Sequence, residues 1–172
     1  MKIKVGVVGA GIYGESLIQA FYSVHKMGEI NLCAVADISQ AALDKIKNLY
    51  GLKGYTDYKA MFDKEDLDAV AVITPDYLHK EIALEAAGRK IHLLVQKPLA
   101  TDIEEGRDMI AAAEKNNVLL YVDFHKRFDP AHIQLRQAVQ SGKLGEIEYG
   151  YVCMEDKIIV PTEWLRAWAP YS

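Results

Sequence analysis

Short apolar runs alternate with longer segments of helical periodicity along most of the chain. Most of these runs are continuous in Val, Ile, Leu and Ala, which predicts strands that are buried on both faces. Strands separated by helices favour a parallel sheet covered by helices, the doubly wound α/β class. The predicted strands are Lys2–Val8, Ile30–Ile38, a weak one near Gly54–Tyr55, Ala69–Thr74, Ile91–Gln96 and Val118–Phe124.

The segments between the predicted strands carry helical signals. Tyr13–Lys26 and Tyr77–Arg89 each place apolar residues four positions apart, so each is predicted to pack one face on the sheet. Helix ends are also marked: Ser39 is predicted as an N-cap with Gly51 as the stop, and the capping box Thr101–Glu104 opens a helix to about Asn116.

The pattern changes after Phe124. The segment HKRFDPAHIQLRQAVQSGKLG predicts a loop and one more helix, with Asp129 as its cap and Pro130 in its first turn. The partial alternation of EIEYGYVCMED predicts a strand that is not buried on both faces and that opens a second sheet. We therefore expect one domain over residues 1–124 and the beginning of a second over residues 125–172.

The composition argues against several classes of partner. Of the 172 residues, 51% are hydrophobic and 26% are charged, which is typical of a globular protein. The net charge of −4 attracts neither phosphate backbones nor anionic lipid, so nucleic-acid and membrane partners are not expected. The N-terminus does not resemble a signal peptide, and Cys33 and Cys153 form no C-x-x-C motif. We expect a cytoplasmic protein whose thiols are reduced and packed as small apolar groups.

The glycine-rich segment GVVGAGIYG is the first candidate for chemistry. Its G-x-G-x-x-G motif, Gly9, Gly11 and Gly14, follows a predicted strand and precedes a predicted helix. In such a motif the first glycine permits a tight turn, the second lets a pyrophosphate approach, and the third lets the helix pack close to the strand. The motif alone is a weak signal, because glycines at strand-to-helix turns also occur for purely structural reasons.

Asp37 strengthens this interpretation. It ends the next predicted strand, 37 − 14 = 23 residues beyond Gly14, close to the ~20 residues at which a carboxylate accepts the adenosine ribose hydroxyls. The alternative is a plain helix cap. Ile38 and Ser39 follow it with no arginine adjacent, so a 2′-phosphate would be repelled without compensation, and NAD is favoured over NADP.

Two further strand ends are predicted at the same carboxyl edge. In the strand order 3-2-1-4-5-6 the first and fourth strands flank the switch point, so Thr74 and Pro75 of ITPDYLH are expected to face the cofactor. His79 is either a cofactor contact or a capping or packing histidine. At the end of strand five, Lys97 is expected to be partly buried near the nicotinamide, where its charged form is disfavoured and proton transfer is easier. The alternative is a solvated lysine at a strand end.

Together these segments resemble the glucose–fructose oxidoreductase and inositol dehydrogenase (Gfo/Idh/MocA) family of NAD(P)-dependent enzymes. GVVGAGIYG, VADIS, ITPDYLH, QKP and YVDFHKRFDP occur in the family's order and spacing. The resemblance implies a Rossmann domain over residues 1–124, followed by a substrate and dimerisation domain. It implies that Lys97 hydrogen-bonds the reacting substrate oxygen and that Arg127 lies near the nicotinamide. The candidate cofactor-binding residues are Gly9, Gly11, Ile12, Tyr13, Gly14, Asp37, Thr74, Pro75, His79, Gln96, Lys97 and Arg127, with Lys97 also the candidate catalytic residue.

The chain departs from the family's pattern in three places. Gln96 stands where glutamate is usual: its amide can still bond a ribose hydroxyl, but it brings no negative charge beside Lys97. His125 stands near a common asparagine and is either a substitute proton carrier or an incidental contact. The family's D-x-x-x-H helix has no counterpart here, so we expect a truncated second domain and a chain that is inactive alone.

The sequence therefore predicts the NAD-binding portion of an oxidoreductase. It would transfer hydride between a nicotinamide and a sugar, a cyclitol or a related polyol. Gln96 and the missing histidine motivate the alternative of a non-catalytic NAD(H)-binding sensor or regulatory protein. We expect a homo-oligomer, and no metal site is predicted because the histidines show no paired ligand spacing.

Overall fold

The computed structural model describes residues 2–153, and the chain divides into two compact units, Met1–Lys126 and Arg127–Ser172. In the first unit, six strands form one sheet in the order β3-β2-β1-β4-β5-β6, and every neighbouring pair is parallel. The predicted doubly wound α/β class and its strand order are confirmed. The strands are β1 Ile3–Val8, β2 Ile30–Ala36, β3 Lys53–Tyr55, β4 Ala69–Val72, β5 His92–Gln96 and β6 Leu120–Asp123.

Helices follow the strands, as the sequence predicts. They are α1 Ile12–Lys26, α2 Gln40–Tyr50, α3 Tyr58–Lys64, α4 His79–Gly88 and α5 Ile103–Asn116, with a 3-10 turn at Asp76–Leu78 before α4. Helix α3 has no counterpart among the predicted elements. Its seven residues are too few to show a repeating apolar face, although Asp57 caps it and Met61 and Phe62 are buried.

The helix ends show which local signals are reliable. The Ser39 hydroxyl accepts a hydrogen bond from the Ala42 amide, and Gly51 adopts the left-handed conformation at φ 70°, so both predicted ends of α2 are confirmed. The predicted capping box at Thr101 is wrong by one residue. Asp102 is the N-cap of α5 and accepts from the amide of Glu105. A carboxylate accepts more strongly than a hydroxyl, so it takes the cap position.

Both faces of the sheet are covered, because neighbouring residues of β1 point into different hydrophobic clusters. Val7 packs with Ile18 of α1 on one face, whereas Val8 packs with Met61 and Met109 on the other. Burying a side chain such as Ile18 stabilises the fold by about 1.5–3 kcal/mol. The predicted burial of the central strands on both faces is therefore confirmed.

The second unit is described only as far as Cys153. Helix α6, Pro130–Gln140, has Asp129 as its N-cap and a proline in its first turn, as predicted. The strand predicted in EIEYGYVCMED is not formed over residues 146–153, because none of the described residues pairs with this segment, and its remainder lies outside the described residues. Cys153 is exposed rather than packed, whereas Cys33 is partly buried against the core.

Candidate cofactor-binding site

Two glycines of the G-x-G-x-x-G motif are required by the packing of the protein itself. Gly9 has φ +105°, and a Cβ there would lie 2.6 Å from the carbonyl oxygen of Ile73. A Cβ at Gly14 would lie 2.4 Å from the carbonyl oxygen of Gly9. A side chain at either position would collide with rigid backbone, so these glycines bring the start of α1 close to β1 and β4.

Gly11 has no such requirement. Its φ of −66° and ψ of −171° are accessible to any residue, and a Cβ there would meet no atom of residues 2–153 within 4 Å. Gly11 is the N-cap of α1, and the N-terminus of a helix presents backbone N–H groups and a partial positive charge. The open space at Gly11 therefore leaves room for an anionic group to approach this helix end.

Asp37 joins the glycine-rich loop to the end of β2. One carboxylate oxygen accepts a hydrogen bond from the amide of Ala10 at 2.7 Å, and the other accepts from the amide of Ser39 at 2.8 Å. The helix-cap alternative for Asp37 is wrong, because Ser39 is the N-cap of α2. Asp37 lies at the sheet edge that the sequence predicts, and it contacts the first turn of the motif.

Thr74 follows β4 on the other side of the switch point. Its hydroxyl oxygen is buried and has no hydrogen-bond partner among residues 2–153. Buried polar atoms without partners are rare, so a polar group of a ligand would fit here. The Thr74 backbone also lies next to Gly9, because a Cβ at Gly9 would come within 3.0 Å of the Thr74 nitrogen. Pro75 is half-buried and precedes the 3-10 turn.

His79 lies in the interior, with only 1% of its surface exposed. Its Nε2 is 3.0 Å from the carbonyl oxygen of Thr74, and its Nδ1 is 3.0 Å from that of Pro98 and 3.3 Å from that of Leu99. Both ring nitrogens therefore face backbone, which favours the packing alternative for this histidine. The ring connects the segment after β4 to the segment after β5.

Gln96 and Lys97 occupy the end of β5 as predicted, but their environments differ. Gln96 is buried: its Oε1 accepts from the backbone amide of Lys97 at 2.8 Å, and its Nε2 donates to Asp123 at 3.0 Å. Lys97 itself is exposed, so the expected partial burial of its side chain is wrong for the described residues. Strand β5 stops at Gln96, and the chain bends at Lys97.

In the first turn of α1, Ile12 is largely exposed and Tyr13 is partly exposed. Partial burial raises the pKa of Tyr13, the carboxylate of Asp123 raises it further, and a hydrogen bond with Gln96 lowers it. The first turn of α1 therefore meets the ends of β5 and β6. Asp123 is the residue that sequence reasoning missed. The available signal was its position at the end of the strand beside β5, which puts it at the same edge.

Arg127 lies in the 3-10 turn His125–Phe128, at the start of the second unit. Its place near a nicotinamide stays a prediction. His125 is exposed in the same turn. Within residues 2–153, no three His, Cys, Asp or Glu side chains come together as ligands for a metal ion. No helix in this part of the chain has the length and apolar character needed to cross a membrane.

Comparison with known proteins identifies the family. The model of the Gfo/Idh/MocA oxidoreductase family, described as an NAD-binding Rossmann fold, matches residues 3–124. The chain belongs to this family. It is 29% identical over 166 residues to an inositol 2-dehydrogenase of Rhizobium meliloti, which covers 96% of this chain and 49% of that protein. It is 28% identical to the uncharacterized oxidoreductase YrbE of Bacillus subtilis, covering 84% and 42% of the two chains.

Solved structures of family members have the same fold. The scyllo-inositol dehydrogenase of Lactobacillus casei, with bound NAD(H) and scyllo-inositol, is 29% identical with a TM-score of 0.78, covering 86% of this chain and 43% of its own. The WlbA dehydrogenase of Bordetella pertussis, in complex with NADH and UDP-GlcNAcA, is 28% identical with a TM-score of 0.79, covering 86% and 44%. The chain thus spans about half the length of the curated relatives it matches.

Proposed function

We propose that this chain binds NAD(H) at the carboxyl edge of its sheet. The observation that carries the proposal is the glycine-rich loop: Gly11 is open where nothing in the described protein requires a glycine, and Asp37 holds the same loop. The hydroxyl of Thr74, which has no hydrogen-bond partner in the described part of the chain, lies at the opposite side of the switch point. These features fit a dinucleotide with an anionic centre and polar ends.

The proposed reaction is hydride transfer between the nicotinamide and a carbon of a sugar, a cyclitol or a related polyol. NAD, when bound, supplies the hydride acceptor. In this chain, the amides at the start of α1 would hold the pyrophosphate, Asp37 the adenosine ribose, and Thr74 a polar group near the nicotinamide. Lys97 would hold the reacting substrate oxygen, and its exposure keeps its amine accessible to a substrate.

The names of the relatives favour an oxidoreductase over a non-catalytic NAD(H) sensor. Several relatives are inositol dehydrogenases, and WlbA was solved with a nucleotide sugar. We propose a polyol or sugar derivative as the substrate class of the protein. Its oligomeric state, its cytoplasmic location and a role for Arg127 stay predictions.

Cofactor binding is tested by titrating the chain with NADH and following the cofactor's fluorescence. Gly11→Ala is expected to weaken NADH binding by about tenfold or more, because the added methyl group occupies ligand space. It should lower the unfolding midpoint by only a few degrees, because alanine is a poorer N-cap for α1 than glycine. Gly88→Ala is the matched control, since a Cβ there also meets no atom of the described residues within 4 Å. NADPH should bind more weakly than NADH, because Asp37 repels a 2′-phosphate. Equal NADH binding by Gly11→Ala and Gly88→Ala, or no saturable binding by the unmodified chain, would refute the proposal.

The role of Lys97 is tested by turnover. In a form of the protein that oxidises a polyol with NAD, Lys97→Met should lower kcat by about 10²-fold or more, in the range of a proton-transfer or polarising group. Its affinity for NADH should change little, since methionine keeps a similar length without the charge. Undiminished turnover would remove Lys97 from the mechanism.

A further inference from the structure

The amide of Gln96 has a single orientation in this structure. Its oxygen accepts from the backbone N–H of Lys97, and its nitrogen donates to the carboxylate of Asp123. If the amide were flipped, its oxygen would face a carboxylate and its nitrogen would face an N–H group, so both hydrogen bonds would be lost. Gln96 is buried at 8% exposure and Asp123 is half-buried, so water could replace these partners only in part.

The strand register places these two residues together. Gln96 and Asp123 are register partners at the last paired positions of β5 and β6. Residues that face each other across neighbouring strands project to the same side of the sheet, so their side chains meet. The contact therefore follows from the pairing of the two strands, and it does not depend on a mobile loop.

We propose that Asp123 is a positioning residue of this site: it orients the Gln96 amide, which holds the backbone N–H of Lys97 at the point where the lysine leaves β5. Asp123 reaches Lys97 only through Gln96. Gln96 and Asp123 form a matched pair, in which a carboxylate at one position requires an amide at the other.

The pair explains the identity of residue 96. A glutamate there, as the family resemblance implies, would put two carboxylates within hydrogen-bond distance of each other, and neither side chain could donate to the other. Like charges this close disfavour ionisation of one partner, and a buried carboxylate that loses its donor is costly. The amide at position 96 is thus the partner that the carboxylate at position 123 requires.

A second Gln–Asp pair, with the same chemistry, lies on the exposed surface of the chain. On α2, the Nε2 of Gln40 donates to the carboxylate of Asp44 at 2.9 Å, and both residues are exposed. Exposed charges are screened and solvated, so Gln40→Glu should have little effect. Comparing Gln96→Glu with Gln40→Glu therefore separates the effect of burial and tertiary position from the effect of the substitution itself.

The pairing is tested by thermal unfolding of the 172-residue chain. Gln96→Glu is expected to lower the midpoint by about 5 °C or more, and Gln40→Glu by about 1 °C or less. Asp123→Asn keeps an acceptor for Gln96 and should be close to the unmodified chain. In the double variant Gln96→Glu with Asp123→Asn, the amide and carboxylate exchange places, and the midpoint should return to within about 2 °C of Asp123→Asn. A Gln96→Glu variant as stable as Gln40→Glu, or a double variant that is not rescued, would overturn the pairing.

The positioning of Lys97 needs a second readout, which stability alone does not provide. Hydrogen exchange of the Lys97 backbone amide, measured relative to that of Val95 in β5, reports the hydrogen bond to Gln96. Asp123→Ala removes the acceptor that orients Gln96 and should speed the relative exchange by about tenfold, whereas Asp123→Asn should not. An unchanged ratio in Asp123→Ala would show that Asp123 does not position Lys97.

The expected effect of Gln96→Glu on NADH binding rests on the proposed function, whereas the pairing of Gln96 with Asp123 does not. Gln96→Glu should weaken NADH binding by about tenfold, and the double variant should restore it. If the unmodified chain binds no NADH but the unfolding and exchange patterns hold, the proposed function fails and the matched pair stands. If NADH binds normally to Gln96→Glu and its stability is unchanged, the pair fails and the proposed function stands.

Discussion

The loop after β1 and the turn after β5 lie at the same edge of one sheet, yet they are held in place by different means. The loop after β1 depends on the absence of side chains at Gly9 and Gly14, where backbone meets backbone. The turn after β5 depends on side chains that arrive from distant parts of the chain: His79 from α4 and Asp123 from β6.

This difference predicts different responses to substitution. At the glycine loop, adding one methyl group creates an overlap that rigid backbone cannot relieve. At the turn after β5, removing a side chain leaves polar backbone without its partner, a cost that conservative replacements can reduce. The glycine loop is therefore destabilised by added side-chain atoms, whereas the turn after β5 is destabilised by the removal of a side chain.

The largest effect is expected at Gly14. Gly14→Ala places a Cβ 2.4 Å from the carbonyl oxygen of Gly9, so α1 must move away from β1. We expect a loss of about 3 kcal/mol or more in the free energy of unfolding, measured in urea by circular dichroism. Gly88→Ala meets nothing within 4 Å and should change stability by less than about 1 kcal/mol. Equal stabilities for the two variants would contradict the close approach of α1 to β1.

A smaller loss is expected when His79 is removed. His79→Ala removes the N–H that donates to one of the backbone carbonyls of Thr74 and Pro98 and opens a cavity, so we expect a loss of about 2–4 kcal/mol in the free energy of unfolding. His92→Ala is the control: His92 is only half-buried and accepts one backbone hydrogen bond, from Leu119. His92→Ala should lower the free energy of unfolding by about 1 kcal/mol. If both variants unfold at the same urea concentration, His79 does not secure the turn after β5.

The smallest effect is a change in the titration of Tyr13, which joins the two regions. Burial and then Asp123 raise the pKa of Tyr13 above its ordinary value of about 10. Asp123→Asn should lower this pKa but leave it raised, since burial is the larger cause. The measurement is an NMR titration of the Tyr13 ring, assigned with Tyr13→Phe, and Asp44→Asn should leave it unchanged.

The sign of the linked stability change follows from the raised pKa. The folded chain keeps the Tyr13 proton to higher pH than the unfolded chain does, so its contribution is complete below about pH 10 and is lost as the pH rises through the folded pKa. Asp123→Asn should make this loss smaller. If the pKa of Tyr13 were the same in the unmodified chain and in Asp123→Asn, the charge of Asp123 would have no effect on the first turn of α1.

Most of the fold was predictable from the sequence because its signals are local. Continuous apolar runs marked the central strands, and Ser39, Gly51 and Asp129 marked helix ends with the chemistry of their own side chains or backbone. The misses have physical causes. Helix α3 is too short to show periodicity, and the cap of α5 moved by one residue to the stronger acceptor, Asp102.

The candidate site was only partly predictable. Gly9, Gly14 and Asp37 lie at the sheet edge that the sequence predicts, because the motif, strand and helix are consecutive in the chain. The packing of His79 and the exposure of Lys97 could not be decided from spacing. Each depends on how the segments after β4 and β5 pack against residues far away in the sequence.

By itself, the sequence determined the α/β class and the glycine loop, because apolar periodicity and backbone sterics act over a few residues. The expected strand order followed from the doubly wound class. Only the tertiary structure decided that Asp123 faces Gln96 and that His79 bridges two strand ends. Those contacts join residues 27 and about 20 positions apart, and the register of β5 against β6 and the packing of α4 bring them together.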